Sequence, residues 1–219
     1  IMPSLVGSEM CIRDSRTPAR LPHSIQRLPR VAIPDHRVPP RSRERGSIVP
    51  TPSSIPDATV NPSPTAKLWN KFSSKPFGKN LFSLAFGLKA PYFLTILPRV
   101  QDMRVGYAKV RVARWWLVLN HIGTLHAIAA CNAAELAMGS LAEASVPATH
   151  RWLPKGMRTE YLAKTKGGVT AVATAELPDF AAITKETGGQ TVTVNIEFTD
   201  DEGKVPMKAE IDIWVTAVK

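Results

Sequence analysis

Residues 120–127 read NHIGTLHA and run straight into IAACNAAELAMGSLAEA. An asparagine, two histidines, a glycine and a threonine thus precede an alanine-rich helix, and one carboxylate, Glu135, sits in that helix's most apolar part. The set suits attack on an activated carbonyl. Such a reaction needs a base or nucleophile near the carbonyl carbon and donors where oxyanion charge develops. A helix N-terminus supplies unpaired N–H groups and the positive end of the helix dipole. Thr124 is read as the N-cap, which makes the amides of His126 and Ala127 the candidate oxyanion donors. Glu135 is the candidate general base or nucleophile. A carboxylate in so apolar a helix is costly unless paired, and desolvation is expected to raise its pKa. The competing reading is a structural acid bonded to a backbone amide or a lysine.

The remaining residues of the corner carry supporting roles. Asn120 could orient the attacking water or the carbonyl substrate, or equally could cap the corner, since asparagine favours such turns. His126 either polarises the carbonyl or packs, and His121 is read as structural. Gly123 and Thr124 join the substrate-binding set. Cys131 reads as a small core residue. Arg151 and Lys155, with Arg158, Lys164 and Lys166, are candidates for the phosphates of a polyanionic ligand, against the blander reading of a solvated basic face.

Nine residues separate His126 from Glu135. On a helix they fall on opposite sides, displaced by roughly 13 Å. One chain does not easily bring both to one carbonyl, whereas two chains about a twofold axis can. The expectation is an obligate dimer with two composite sites.

Elements that would hold these residues are visible on either side. KLWNKFSS and GKNLFSLAFGL read as two short amphipathic helices, the second with Leu81, Leu84, Ala85 and Leu88 along one side. Pro91 and Pro98 bound an irregular PYFLTILPR. Residues 106–120 read as a strand passing into a buried environment. The helix follows at about 123–144, apolar on every side and so expected to be enclosed by protein. MRTEYLA and GVTAVATAEL are strand-like, and QTVTVNIEFT and VPMKAEIDIWVTAV alternate polar and apolar residues around a DDEG turn. The fold class is α+β, with an antiparallel sheet wrapped around one central helix.

Composition bounds the rest. The 219 residues carry 28 basic and 18 acidic side chains, and residues 1–66 hold nine arginines, no lysine and 12 of the 19 prolines. A modest basic surface suits a polyanionic ligand. No basic stripe interleaved with aromatics and no Gly-rich phosphate loop points to nucleic acid. Two cysteines build no disulfide framework, and neither CxxC nor HxxxH spacing suggests a metal. No apolar run spans a bilayer, so no membrane partner is expected, and the expected location is the cytoplasm with organellar import left open. Residues 1–15 include MCIRDS, which back-translates as ATG TGT ATA AGA GAC AGY and resembles a transposon-based sequencing adapter. They are read as an artefact. Residues 16–66 are Pro- and Arg-rich and expected to lack fixed structure. The folded domain is assigned to 67–219.

NHIGTLHA, with an acid nine residues beyond its second histidine, resembles the signature of hotdog-fold acyl-CoA thioesterases. The nearest branch is that of the phenylacetic-acid-pathway and mammalian thioesterase-superfamily enzymes, N-x-x-G-x-x-H-G-G followed by Asp. FGLKAPYF and RWLPKGMRTEYLAK are similar to a less-characterised bacterial and fungal branch, and the resemblance covers about 90–219. It departs at Ala127 and Ile128, where the family has Gly-Gly, and at Glu135, where it has Asp. Ala127 takes the glycine's place, which makes its amide the favoured oxyanion donor. The resemblance implies sites between subunits, a homodimer that in some members packs into a tetramer, and a role in lipid metabolism. The expected function is hydrolysis of an acyl-CoA thioester to free acid and thiol, with no metal or redox cofactor and coenzyme A entering as part of the substrate. Two alternatives stand beside it: a non-catalytic acyl-thioester-binding or interaction module, and an acyl-thioester hydratase or dehydratase.

Overall fold

The computed structural model describes residues 63–218. The readings made for 1–15, and for 16–62 of the second segment, lie outside these residues. The first helix, α1 (Pro64–Phe72), begins inside the stretch expected to lack structure. Pro64 occupies its first turn, where no N–H partner is needed, and the Ser63 hydroxyl accepts from the Ala66 N–H at 3.1 Å. Ser63 also donates to the carbonyl oxygen of Glu143 at 2.7 Å, which ties the start of α1 to the central helix.

Helix α2 (Gly78–Lys89) lies the other way round from the sequence expectation. Its buried residues are Gly78, Phe82, Ser83 and Gly87, while Leu81, Leu84 and Leu88 are exposed. Aromatic packing decides the orientation. Phe82 meets Trp69 edge-on with ring centroids 5.0 Å apart, and Phe86 and Phe93 extend the row. Aromatic side chains bury more area than leucines, so that face wins the core.

A single 3-10 turn (Pro91–Ile96) leads into β1 (Pro98–Arg104), a strand the sequence pattern concealed. Pro98 stands at its first position, where a missing N–H is tolerated. A bulge between Val100 and Asp102 interrupts the alternation. Strand β2 (Tyr107–Val112) pairs antiparallel with β1 across a tight turn in which Gly106 has φ +70°. The expected long strand over 106–120 stops at Val112. A 3-10 turn at Trp116–Val118 replaces its apolar end, leaving Trp116 and Leu117 exposed and Val118 buried.

The central helix, α3, runs Ala127–Ser145, and strands β3 (His150–Tyr161), β4 (Val169–Ala175), β5 (Gln190–Asp200) and β6 (Met207–Ala217) follow. All strands join one six-stranded antiparallel sheet in the order β1-β2-β4-β5-β6-β3. β3 therefore does not pair with β4. The chain crosses from one edge to the other, and β3 pairs only with β6. Alternate residues of β5 (Val192, Val194, Ile196, Phe198) and of β6 (Met207, Ala209, Ile211, Ile213, Val215) are buried against α3, as the period-2 pattern requires. Each large side chain so enclosed contributes about 1.5–3 kcal/mol before chain entropy is set against it.

α3 is not enclosed on every side. Leu136, Met138 and Leu141 are fully buried, but Ala127, Ile128 and Glu135 are exposed and Cys131 is half-buried. Ala127, Cys131 and Glu135 stand four residues apart and share one stripe along the helix. This helix buries Ser140, Ser145 and a larger polar group, Asn132. Its Nδ2 donates to Thr95 Oγ1 at 3.2 Å and reaches the Tyr92 carbonyl at 3.5 Å, while Oδ1 has no partner among the described residues.

Candidate active site

The turn before α3 is built by Asn120. Its Oδ1 accepts from the N–H groups of Ile122 and Thr124, both at 3.1 Å, and its Nδ2 donates to Thr124 Oγ1 at 2.8 Å. The backbone closes the same loop, with Asn120 N–H donating to Thr124 O at 2.9 Å and Gly123 N–H to Asn120 O at 3.0 Å. Gly123 sits at φ +76° with nothing within 4 Å of an added Cβ, so its freedom of backbone, not lack of room, selects glycine.

His126, not Thr124, is the N-cap. Its Nδ1 accepts from the Ile128 N–H at 3.1 Å, which puts the ring proton on Nε2. Thr124 is buried within the turn it shares with Asn120. The backbone amide of His126 is also taken, since it donates to Val118 O at 2.8 Å. Of the two proposed oxyanion donors, that removes one. The Ala127 N–H has no acceptor among the described residues and stands at the positive end of a 19-residue helix.

Ala127 borders a cavity of about 220 Å³. Asn120, Thr124 and Ala127 form one side of it, Tyr161 and Lys164 another, and Val169, Phe198 and Met207 the apolar floor. The wall at 162–168 is pinned from several directions. Leu125 N–H donates to Thr165 O at 3.0 Å, and the N–H groups of Leu162 and Ala163 both donate to Pro206 O. Asp201 accepts from Gly168 N–H at 2.8 Å and pairs with Arg111. The hydrogen bond from Gly168, then the pairing with Arg111, hold the Asp201 carboxyl below its ordinary range. A second cavity, about 510 Å³, lies beside β5 around Glu176, Gln190, Thr193 and Asn195.

Tyr161 was not singled out by the sequence reading. Its hydroxyl lies 3.1 Å from Cys131 Sγ, and that hydrogen bond together with desolvation raises the phenol above its ordinary value. The contact bridges the end of β3 to the exposed stripe of α3. Cys131 is thus half-buried against the core, with its Sγ at the margin of the site. No local motif announces the pair, which forms only because β3 crosses the mouth of the helix.

The structure also moves the phosphate-binding candidates. Directly opposed residues of paired strands share a face, so Arg151, opposite Thr216, lies on the sheet's outer side, away from α3. Lys155 lies there too, with Nζ 3.4 Å from Thr191 Oγ1 and 5.1 Å from the centre of the Trp214 ring. Arg158 is committed to Glu210 and Asp212. Among the basic candidates, Lys164 is the one that borders the cavity. Glu135 is exposed. The burial expected to desolvate its carboxylate is not supplied by its own chain.

One helix held in the concave side of a six-stranded antiparallel sheet, with a turn of Asn and Gly at its mouth, defines the hotdog fold. The chain belongs to the family described as Domain of unknown function (DUF4442), whose model matches residues 78–215. A solved structural-genomics protein, APC5556, is 40% identical to it, with 70% of this chain and 99% of that one aligned at a TM-score of 0.60. A thioesterase from Haemophilus influenzae aligns over 57% of this chain and 82% of its own at 12% identity and a TM-score of 0.50. A mutant thioesterase from Pseudomonas aeruginosa aligns over 62% and 92% at 17% identity and 0.53. Comparison with the curated proteins gave no match.

Proposed function

We propose that the protein hydrolyses an acyl-CoA thioester to a free acid and a thiol, in a composite site formed by two copies of the chain. The observation that carries this reading is the partnerless Ala127 N–H at the mouth of an apolar-floored cavity. A thioester carbonyl seated there directs its oxygen at the N–H, where developing negative charge meets a donor and a helix dipole already in place. The acyl group occupies the space over Phe198 and Met207. Asn120 has one Nδ2 hydrogen left after building its turn, available to the thioester or to water.

The base comes from the partner. β3 is an edge strand of 12 residues with Leu153, Met157 and Tyr161 exposed, and a long edge of that kind is normally paired or covered. Pairing two β3 strands about a twofold axis joins the sheets and brings the exposed stripes of the two α3 helices together. Glu135 of the partner subunit then approaches the cavity mouth, where enclosure supplies the desolvation that the lone chain lacks. It removes a proton from water as the water attacks, and the C–S bond then breaks with the thiolate taking up that proton; or it attacks the carbonyl itself with loss of the thiolate, and water then hydrolyses the resulting anhydride. Lys164 is placed to meet coenzyme A phosphate. Thiol release from a panel of acyl-CoA chain lengths, measured with the full chain, tests this. Turnover well above background supports it. Saturable binding without release would instead favour a non-catalytic binding module.

A further inference from the structure

The outer side of α2 has no task in the core. Phe82 and Phe86 complete the inner side against Trp69 and Phe93, and Gly87 lies close against Leu94. Outside, Phe77, Leu81, Leu84 and Leu88 follow one another at helical spacing and are 83, 51, 51 and 67% exposed. A single exposed leucine is ordinary, but a row of four apolar side chains over three turns marks an interaction surface.

Charge selects the partner. Residues 63–101 contain five lysines, one arginine and no acid. Lys79 is engaged with Gln101 O at 2.7 Å and with the Trp69 ring. Lys67, Lys71, Lys75 and Lys89 are exposed, and none has a carboxylate partner among the described residues. A second copy docked on this face about a twofold axis would set lysine against lysine, which is unfavourable. Neither cavity described above includes a residue of α2.

We infer that this face rests on an anionic lipid surface, with the apolar row among the headgroups and the lysines over lipid phosphates. An apolar row on a surface helix with lysines nearby can lie in the interface plane in this way. At 12 residues α2 is far too short to span a bilayer, and among the described residues no helix is long and apolar enough to cross one. The lack of an apolar run long enough to span a bilayer does not bear on a helix that lies at its surface. The inference does not rest on thioester hydrolysis.

The test is co-sedimentation of the full chain with vesicles of phosphatidylcholine alone and of phosphatidylcholine mixed with phosphatidylserine. Its companions are the double variants Leu84→Asp/Leu88→Asp and Lys75→Glu/Lys89→Glu. The expected result is binding to the mixed vesicles, little to phosphatidylcholine, and loss with added salt. Reversing two lysines is expected to weaken partitioning at least about tenfold. Equal binding to both vesicle types, or binding to neither, overturns the inference. So does a Leu84→Asp/Leu88→Asp variant whose mass in sedimentation equilibrium falls below that of the parent, because the face is then a contact between copies.

Discussion

Replacing Asn120 with alanine separates a turn-building side chain from a catalytic one. The amide makes three hydrogen bonds, two accepted from Ile122 and Thr124 N–H and one donated to Thr124 Oγ1. At about 1 kcal/mol each, and with the buried Thr124 hydroxyl left short of a partner, the loss is about 3 kcal/mol. For a domain of this size that lowers the melting temperature by roughly 6–12 °C. Asn120→Asp keeps both accepted bonds and forfeits only the donated one, so its expected cost is about 1 kcal/mol. Urea titration and thermal melting of both variants measure these differences, with the thiol-release rate followed in parallel. If Asn120→Ala melted within about 1 °C of the parent while losing activity, the turn would not depend on the side chain and the ledger of bonds would be refuted.

Three further outcomes follow from the structure. An alanine at Gly168 would set its Cβ 2.5 Å from the Val112 carbonyl oxygen. Backbone cannot step aside as a side chain does, so Gly168→Ala is expected to destabilise by about 1–3 kcal/mol in urea titration. Asp201→Asn is expected to cost under about 1 kcal/mol at neutral pH, because the ion pair is half-exposed. The folded-state pKa of Asp201 lies below its ordinary value, so its contribution is present above that value and lost as pH falls through the folded one; parent and variant should converge there, as acid-unfolding curves will show. Tyr161→Phe removes the partner of Cys131 Sγ without disturbing the β3–β6 ladder, and is expected to cost under about 1.5 kcal/mol in urea titration.

The elements with strong periodicity were legible in the sequence. β5 and β6 alternate cleanly because one face of each is buried and the other wet, and α3 carries enough alanine and leucine to be a helix in any reading. The concealed parts have local causes. β1 opens with proline and carries a bulge, which breaks the alternation that marks a strand. On α2 both faces are apolar, so periodicity could not say which one the aromatics would pull inward. Around the cavity, Asn120 and Gly123 build the turn before α3, and the Ala127 N–H is left without an acceptor among the described residues. The N-cap passed from Thr124 to His126 because the Asn120 side chain claims Thr124 for the turn. The outer-face placement of Arg151 and Lys155 was not legible because residue type carries no information on which face of a strand is met, and the Tyr161 contact was not because it depends on a crossover no local pattern encodes.

The central claim is that Glu135 on one copy serves the cavity of another. Thiol release by Glu135→Gln, compared with the parent at matched dimer concentration, tests it most directly. The side chains are nearly isosteric and the residue is exposed in the single chain, so melting temperature and sedimentation should not change. The predicted rate falls by at least about 100-fold, the loss expected when a general base is removed. A folded Glu135→Gln dimer that turns over at the parental rate would contradict the account.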